Sequence, residues 1–318
     1  MNAVSPGTSR RPKPVALDLP AFGLAAATVA GFAGRWHWLL DLASHFRWYW
    51  LLAALVWFAV APWRRSRLAT GCLVAAVVAN AWTLLPYWMP AAAGDAAGMG
   101  TLRLVSLNLL ADNDDPGRTL GYLGQCDADV VVLLEVDDGW AEAVATLGPR
   151  YPHQVMHPRD DRFGIAVLSR LPLARERIEP LAEGPPVVIV DLPVGRAGCL
   201  LVAAHPPAPI AAEWSARRDA QLAAIGDVAA AESRPVIVAG DLNATPWSHG
   251  FRQLVRLRGL CDSAVGRGVQ ATWNARRWVP RIPIDHVVVS PEVRVMDRRV
   301  GPDVGSDHLP VEATLAIP

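Results

Sequence analysis

The stretch PVIVAGDLN, residues 235–243, decides how this chain is read. Val236–Ala239 is apolar and largely β-branched, which suits a strand buried on both faces. Gly240 interrupts it, and Asp241-Leu242-Asn243 then supplies good turn chemistry. A strand that ends this way delivers Asp241 and Asn243 to the rim of a sheet.

Working outward, the same arrangement recurs. Leu102–Leu107 leads into Asn108, Val130–Leu134 into Glu135, and Cys199–Ala204 into His205. Ile284–Val289 carries Asp285 just inside its start, and Asp307-His308 precedes a closing run at Val311–Ala316. Gly164–Leu168 and Val187–Leu192 add two strands, whereas Arg118–Cys126 and Ala211–Ala231 have helical spacing. Strands and helices mix without a strict βαβ rhythm, so two packed sheets with outer helices are expected rather than a Rossmann fold. Strand ends that gather carboxylates, amides and two imidazoles into one pocket suit metal-assisted hydrolysis of a phosphate ester.

The formal charge of zero conceals a division. Residues 1–100 carry eight basic and three acidic side chains, a net of +5, and residues 101–318 carry 22 and 27, a net of −5. A domain that follows a nucleic-acid backbone usually has the opposite sign, which disfavours DNA as substrate. Cys72, Cys126, Cys199 and Cys261 stand far apart with no CxxC pair, which excludes a dense disulfide framework or a spaced zinc site and leaves buried free thiols as the plain expectation.

Eight of the thirteen tryptophans fall in the first ninety residues, which hold three apolar runs, Leu19–Gly34, Trp48–Pro62 and Leu68–Met89, with Trp36, Trp38, Trp48, Trp50 and Trp63 at their flanks. Long apolar runs flanked by Trp and Arg mark bilayer segments. The expectation is a helical transmembrane region over residues 1–90, a flexible tether over 91–100 and a catalytic domain over 101–318. Only the third run approaches the roughly 20 residues of a full crossing, and the other two need tilt or aromatic flanks. Arg10, Arg11 and Lys13 precede the first run, and Arg64, Arg65 and Arg67 separate the second from the third. The positive-inside rule then places both segments in the cytoplasm and, after three crossings, the catalytic domain outside the cytoplasmic membrane. Two crossings would reverse that.

Ser-Leu-Asn108, Leu-Leu-Glu135, Ala-Ala-His205, Gly-Asp241-Leu-Asn243, Ile-Asp285-His and Ser306-Asp307-His308 together resemble the endonuclease/exonuclease/phosphatase superfamily, the DNase I-like group. Six ordered elements across residues 101–318 carry far more weight than any one of them. The resemblance implies a four-layer αββα sandwich. The chain also resembles membrane-anchored relatives implicated in teicoplanin-type resistance, which have three N-terminal spans and an external domain and act on lipid-linked precursors.

From that resemblance follow roles. Glu135, Asn108 and Asp307 would lie at a divalent cation, Mg²⁺ or Mn²⁺, for which oxygen ligands are suited. Asp241 would orient or deprotonate water, Asn243 would donate to the phosphoryl oxygens, and His308 would bond the attacking water or the phosphate while Asp285 orients it and stabilises its charged form. His205 would bind phosphate or assist the leaving group. Plainer readings stand beside these: Asn108, Asp241 and Asn243 as turn residues, Glu135 as a surface acid, and His205 as a solvent-facing strand end. Ser169, Arg170, Arg218 and Gln221 match family positions that are read as structural, and His45, His153, His157, His249 and His286 as surface or packing residues. One departure is Leu110, which stands where the AP-endonuclease branch has an acid. It removes one metal ligand of that branch and counts against DNA repair. The leading expectation is a membrane-held Mg²⁺ phosphoesterase with the bilayer as partner and a phosphorylated, lipid-linked substrate. An extracytoplasmic nuclease is the alternative, and a catalytically silent binding domain is the third.

Overall fold

The computed structural model describes residues 18–60, 66–90, 96–113, 115–277 and 279–318. The basic residues at 10, 11, 13, 64 and 65, and the first half of the expected tether (91–95), lie outside the described residues.

The N-terminal region is helical: α1 (Leu19–Phe32), α2 (Trp38–Ser44), α3 (Arg47–Val60) and α4 (Arg67–Trp88). α1 carries Pro20 in its first turn, where a missing N–H costs nothing. Ser66 caps α4, its hydroxyl accepting from the Ala69 amide at 3.1 Å. α1, α3 and α4 pack side by side around Ala21, Ala54, Ala69 and Leu73. Polar groups of the bundle face one another: Asn80 donates to Thr28 at 2.8 Å and accepts from Arg47 at 3.4 Å. The Ser66 amide donates to Asp18 at 3.0 Å, which sets the starts of α1 and α4 at one end.

Three membrane crossings were the expectation, and here the structure corrects it. Among the described residues only Arg67–Trp88 is long and apolar enough to cross. α1 and α3 have 14 residues each, a rise of about 21 Å against the roughly 30 Å of a hydrocarbon core. Among the described residues, seventeen of the 22 exposed large hydrophobic side chains lie between Leu19 and Met89, so the unit's outward surface remains apolar.

The remainder forms two six-stranded sheets. The first holds β1 (Gly100–Asn108), β2 (Val130–Leu134), β3 (His153–His157), β4 (Ile165–Ser169), β11 (Arg294–Val300) and β12 (Val311–Ile317), in the order β11-β12-β1-β2-β4-β3. The second holds β5 (Ala174–Pro180), β6 (Pro186–Leu192), β7 (Cys199–Ala203), β8 (Val236–Asp241), β9 (Cys261–Asp262) and β10 (Asp285–Val289), in the order β5-β6-β7-β8-β10-β9. Parallel pairs, β1 with β2 and β7 with β8, lie within each sheet, so their ends point the same way.

The apolar runs are continuous because both faces of these strands are covered. In β2, Val130, Val132 and Leu134 join the core between the sheets, while Val131 and Leu133 meet Leu123 of α5 (Pro116–Gln125) and Trp140 of α6 (Asp138–Ala145). On the far side, Ile189 and Val202 meet Leu222 of α7 (Ala212–Ala231) and Phe251 of α8 (His249–Arg258). Each such buried Val or Leu contributes about 1.5–3 kcal/mol. The layers run α, β, β, α, as expected. Four free cysteines are present, but only Cys199 is buried and Cys261 is exposed, a correction to the expectation that all are buried.

The bundle and the domain touch directly. Tyr87 donates to Asp262 at 3.1 Å, and the Gly266 and Gly268 amides donate to the carbonyls of Pro86 and Tyr87. Tyr49 donates to the Arg281 carbonyl at 2.8 Å, and Asp41 pairs with Arg218 at 3.0 Å. The α1–α3 connection and the end of α4 therefore face the domain, at the end opposite Asp18 and Ser66.

Candidate active site

The register of the second sheet makes the site. β10 runs antiparallel to β8, with Asp285 opposite Asp241. Both are buried, and both lie where their strands meet the rim. Gly240 is required before Asp241: its φ is +151°, and a Cβ there would run into the Ala204 carbonyl oxygen on the neighbouring strand. The first sheet presents Asn108 and Glu135 at the ends of β1 and the parallel β2.

These ends converge. His308 Nδ1 sits 2.9 and 3.1 Å from the two oxygens of Asp285, and its Nε2 lies 3.6 Å from Asp241 Oδ2. His205 Nε2 approaches the same Asp241 oxygen at 3.5 Å. Asn108 Nδ2 donates to Glu135 at 2.9 Å and to Asp241 at 3.2 Å, so one amide joins the two sheets. The Asn108 amide oxygen is engaged by the Leu110 N–H at 3.0 Å, and the Ala111 N–H donates to the other Glu135 oxygen at 3.1 Å. Asn243 donates its side-chain N–H to the Pro206 carbonyl at 2.9 Å, and its backbone N–H donates to Asp241 at 2.9 Å. Asp307 stands at the margin: one oxygen lies 4.0 Å from His308 Nε2, and the other accepts from Trp273 Nε1 at 2.9 Å. His205 is buried against Phe163, ring centroids 5.5 Å apart, and is not turned to solvent.

Backbone strain gathers at the same place. Leu110, Glu135 and Asn243 have φ of +61°, +58° and +48°. Such conformations cost free energy in non-glycine residues and persist where the surroundings impose them, often at functional sites. Here they aim the amide and carboxylate inward.

The electrostatics separate the roles. Burial opposes the charge on His308, but Asp285 and Asp241 outweigh it and raise its pKa to about 10. Burial would likewise raise Asp241; His308, His205 and the Asn243 amide outweigh that and hold it at about 2. His205 is raised as well, burial being overcome by Asp241 and Glu135. At neutral pH the site therefore presents an ionised Asp241 beside a positively charged His308.

Donor chemistry tests the fit of a divalent cation. Glu135, Asp241 and Asp307 are carboxylates at one rim, which suits a hard, oxygen-seeking ion. Asp241, Asp285 and His308 also bring ligand atoms within 4.8 Å of one another. That second group arises from the Asp285–His308 pair, whose Nδ1 is already engaged, so the Glu135 side has the more accessible oxygens. These residues fit a divalent cation.

Several contributors were not found from sequence. Trp273 fixes Asp307, donating to it at 2.9 Å, while Ser306, already part of the Ser306-Asp307-His308 element, ties the last loop to β1 by donating to the Asn108 carbonyl at 2.7 Å, a tie the sequence did not show. Arg298, fully buried, donates to the Asp285 carbonyl at 3.1 Å. β11 carries Arg294, Arg298 and Arg299 and is largely exposed, so nothing local singles out Arg298 as the one that reaches the site. Arg218 and Gln221 are buried in α7; Gln221 donates to the Pro185 carbonyl at 2.6 Å, as a structural residue would. Of the five histidines assigned no role, His45 and His286 are buried and the other three are not.

Comparison with known proteins agrees with this fold. Solved structures share the fold at low identity. An endonuclease/exonuclease/phosphatase protein from Beutenbergia cavernae is 23% identical, covering 69% of this chain and 72% of its own, with a TM-score of 0.55. A Bacteroides vulgatus protein described by the same family name is 18% identical, with 69% and 99% covered and a TM-score of 0.56. D. rerio TDP2 complexed with a single-strand DNA product is 20% identical, with 68% and 98% covered and a TM-score of 0.55. No curated protein sequence is significantly similar. The family model described as "Endonuclease/Exonuclease/phosphatase family" matches residues 105–308, from within β1 to His308, and on that match this chain belongs to the endonuclease/exonuclease/phosphatase family, whose members are in general phosphoester hydrolases.

Proposed function

We propose that this protein is a membrane-held, Mg²⁺-dependent phosphoesterase that hydrolyses a phosphate or pyrophosphate ester of a lipid-linked substrate outside the cytoplasmic membrane. The observation that carries the reading is the junction between the two units. Asn243 of the site is separated from Asp41 of the apolar helical unit by one side chain, Arg218. A site so close to a surface rich in exposed Leu, Val and Trp favours a substrate that resides in the membrane. α4 would cross, with α1 and α3 beside it, and the domain would lie opposite the arginines at 64, 65 and 67.

Asp241 accepts the proton of the attacking water, since it is ionised over the whole neutral range. Water oxygen bonds to phosphorus as the bond to the leaving oxygen breaks. His308, held positive by Asp285, and the free N–H of Asn243 face the phosphoryl oxygens as charge builds on them. His205 lies on the other side of Asp241, placed to contact phosphate or leaving group. A bound Mg²⁺, held by Glu135 and Asp307 with Asn108 in support, would act as a Lewis acid on the phosphate.

A second reading is a nuclease, supported by the likeness in fold to the TDP2 complex with a DNA product. The net charge of −5 over residues 101–318 argues against it. A side-by-side assay of detergent-solubilised full-length protein with Mg²⁺ separates the two, using an undecaprenyl-type lipid pyrophosphate read by phosphate release and supercoiled DNA read by nicking. Release from the lipid, absent in His308→Ala and abolished reversibly by a chelator, is expected. Nicking without release would replace this reading by the nuclease.

A further inference from the structure

We propose that Asp41, a residue of the N-terminal helical unit, is a positioning residue for the catalytic turn, so that this unit is a working part of the hydrolase rather than a passive tether. The inference rests on the hydrolase reading above.

Asp41 lies in α2, between α1 and α3, and is 2% exposed. It is seated by Gly34, where any Cβ would run into its carboxylate. Its two oxygens serve two elements of the catalytic domain. Oδ2 accepts from Arg218 Nη2 at 3.0 Å, and Oδ1 accepts from the backbone N–H of His249 at 2.8 Å. The second bond is an N-terminal cap for α8, whose own cap residue, Ser248, makes no side-chain cap bond. A carboxylate suits a helix N-terminus.

Arg218 then passes the restraint to the site. It is fully buried, and its Nη1 donates to the Asn243 carbonyl at 3.2 Å while Nε holds Asp219 at 2.9 Å. Asn243 has the left-handed φ of +48°, and its amide donates to Asp241. Its side chain is the proposed donor to the phosphoryl oxygens. A direct chain of contacts thus runs Asp41, Arg218, Asn243, Asp241. A guanidinium is planar, and a carboxylate on each side fixes its plane. Losing Asp41 frees Arg218 to turn toward Asp219 and slackens its hold on the turn. A displacement of about 1 Å at such a point costs on the order of 100-fold in rate.

The test uses full-length protein in detergent with Mg²⁺ and bis(p-nitrophenyl) phosphate, with the lipid pyrophosphate as second substrate. Asp41→Asn keeps the shape and removes the charge. Expected is a fall in kcat of about 10- to 100-fold with KM changed less than twofold, because the turn acts on transition-state charge. Asp41→Glu should recover part of the loss. In an Asn243→Ala background, Asp41→Asn should lower kcat by less than threefold further, because both act through one turn.

Wild-type kinetics in Asp41→Asn would overturn the inference and leave the hydrolase reading intact. So would an equal loss in both backgrounds, since a general structural role predicts additivity. Should Asp41→Asn not fold, Asp41→Glu in the two backgrounds decides by the same comparison. Wild-type turnover no greater than that of His308→Ala on either substrate would overturn the hydrolase reading and this inference with it.

Discussion

Asp285→Asn tests whether charge, rather than shape, holds His308. Both Asp285 oxygens lie within 3.1 Å of His308 Nδ1, and the pair is almost wholly buried. The His308 pKa, pushed up from 6.5 to about 10 against the opposing effect of burial, corresponds to roughly 5 kcal/mol shared between Asp285 and Asp241. Asp241 remains 3.6 Å away in the variant, so the loss is expected at the lower edge of the about 3–5 kcal/mol that breaking a buried pair costs. The group's folded pKa is raised, so its stabilisation is complete below pH 6.5 and is lost as pH climbs through about 10. Thermal unfolding followed by tryptophan fluorescence, in chelator at pH 6, 8 and 10, reads this directly. Near pH 6 the variant should melt roughly 6–12 °C below wild type, and the gap should narrow toward pH 10. A gap equal at pH 6 and pH 10 would refute the reasoning, because it would mean that asparagine disturbs packing and not charge.

Three further outcomes are expected. Asp241→Asn should lower kcat by about 100- to 10,000-fold and also lower the melting temperature, because it removes a buried charge paired with His308 and His205; near-normal turnover would remove Asp241 from the role of base. Gly240→Ala should destabilise the domain by about 3 kcal/mol or more, since the new Cβ meets the Ala204 carbonyl; denaturant unfolding would show it. Glu232, held by Arg234 at a pKa of about 2 against an ordinary 4.5, gives stability that is present above pH 4.5 and lost as pH falls through about 2. Glu232→Gln should therefore cost under about 1 kcal/mol at pH 7 and less as the pH falls toward 2, in acid-titrated unfolding curves.

Much of the catalytic domain could be read from residue order because its signals are local. Continuous apolar runs such as Val130–Leu134 can be buried on both faces only inside a layered fold, and the structure keeps that strand to the residue. Polar residues just past those runs must sit at sheet rims, which is why Asn108, Glu135, His205, Asp241 and His308 come together across nearly 200 residues of chain. Short or polar elements escaped notice. β5 is exposed almost throughout and carries no alternation, and β9 is two residues long. The count of crossings also escaped: hydropathy sees apolar runs, whereas helix ends are set by turns such as the one through Trp36, which closes α1 at 14 residues.

Sequence alone determined the family, the layered class and the identity of most polar residues at the site, because each depends on side-chain type and order along the chain. Tertiary structure alone decided which oxygen meets which nitrogen. It set Asp285 opposite Asp241 through strand register, turned the Asn108 amide toward two carboxylates, and made a histidine positive by enclosing it with them. It also brought Asp41 to Arg218 from 177 residues away. A buried charge declares its partner only when both are folded out of water, so no local pattern in the sequence could have named that pair.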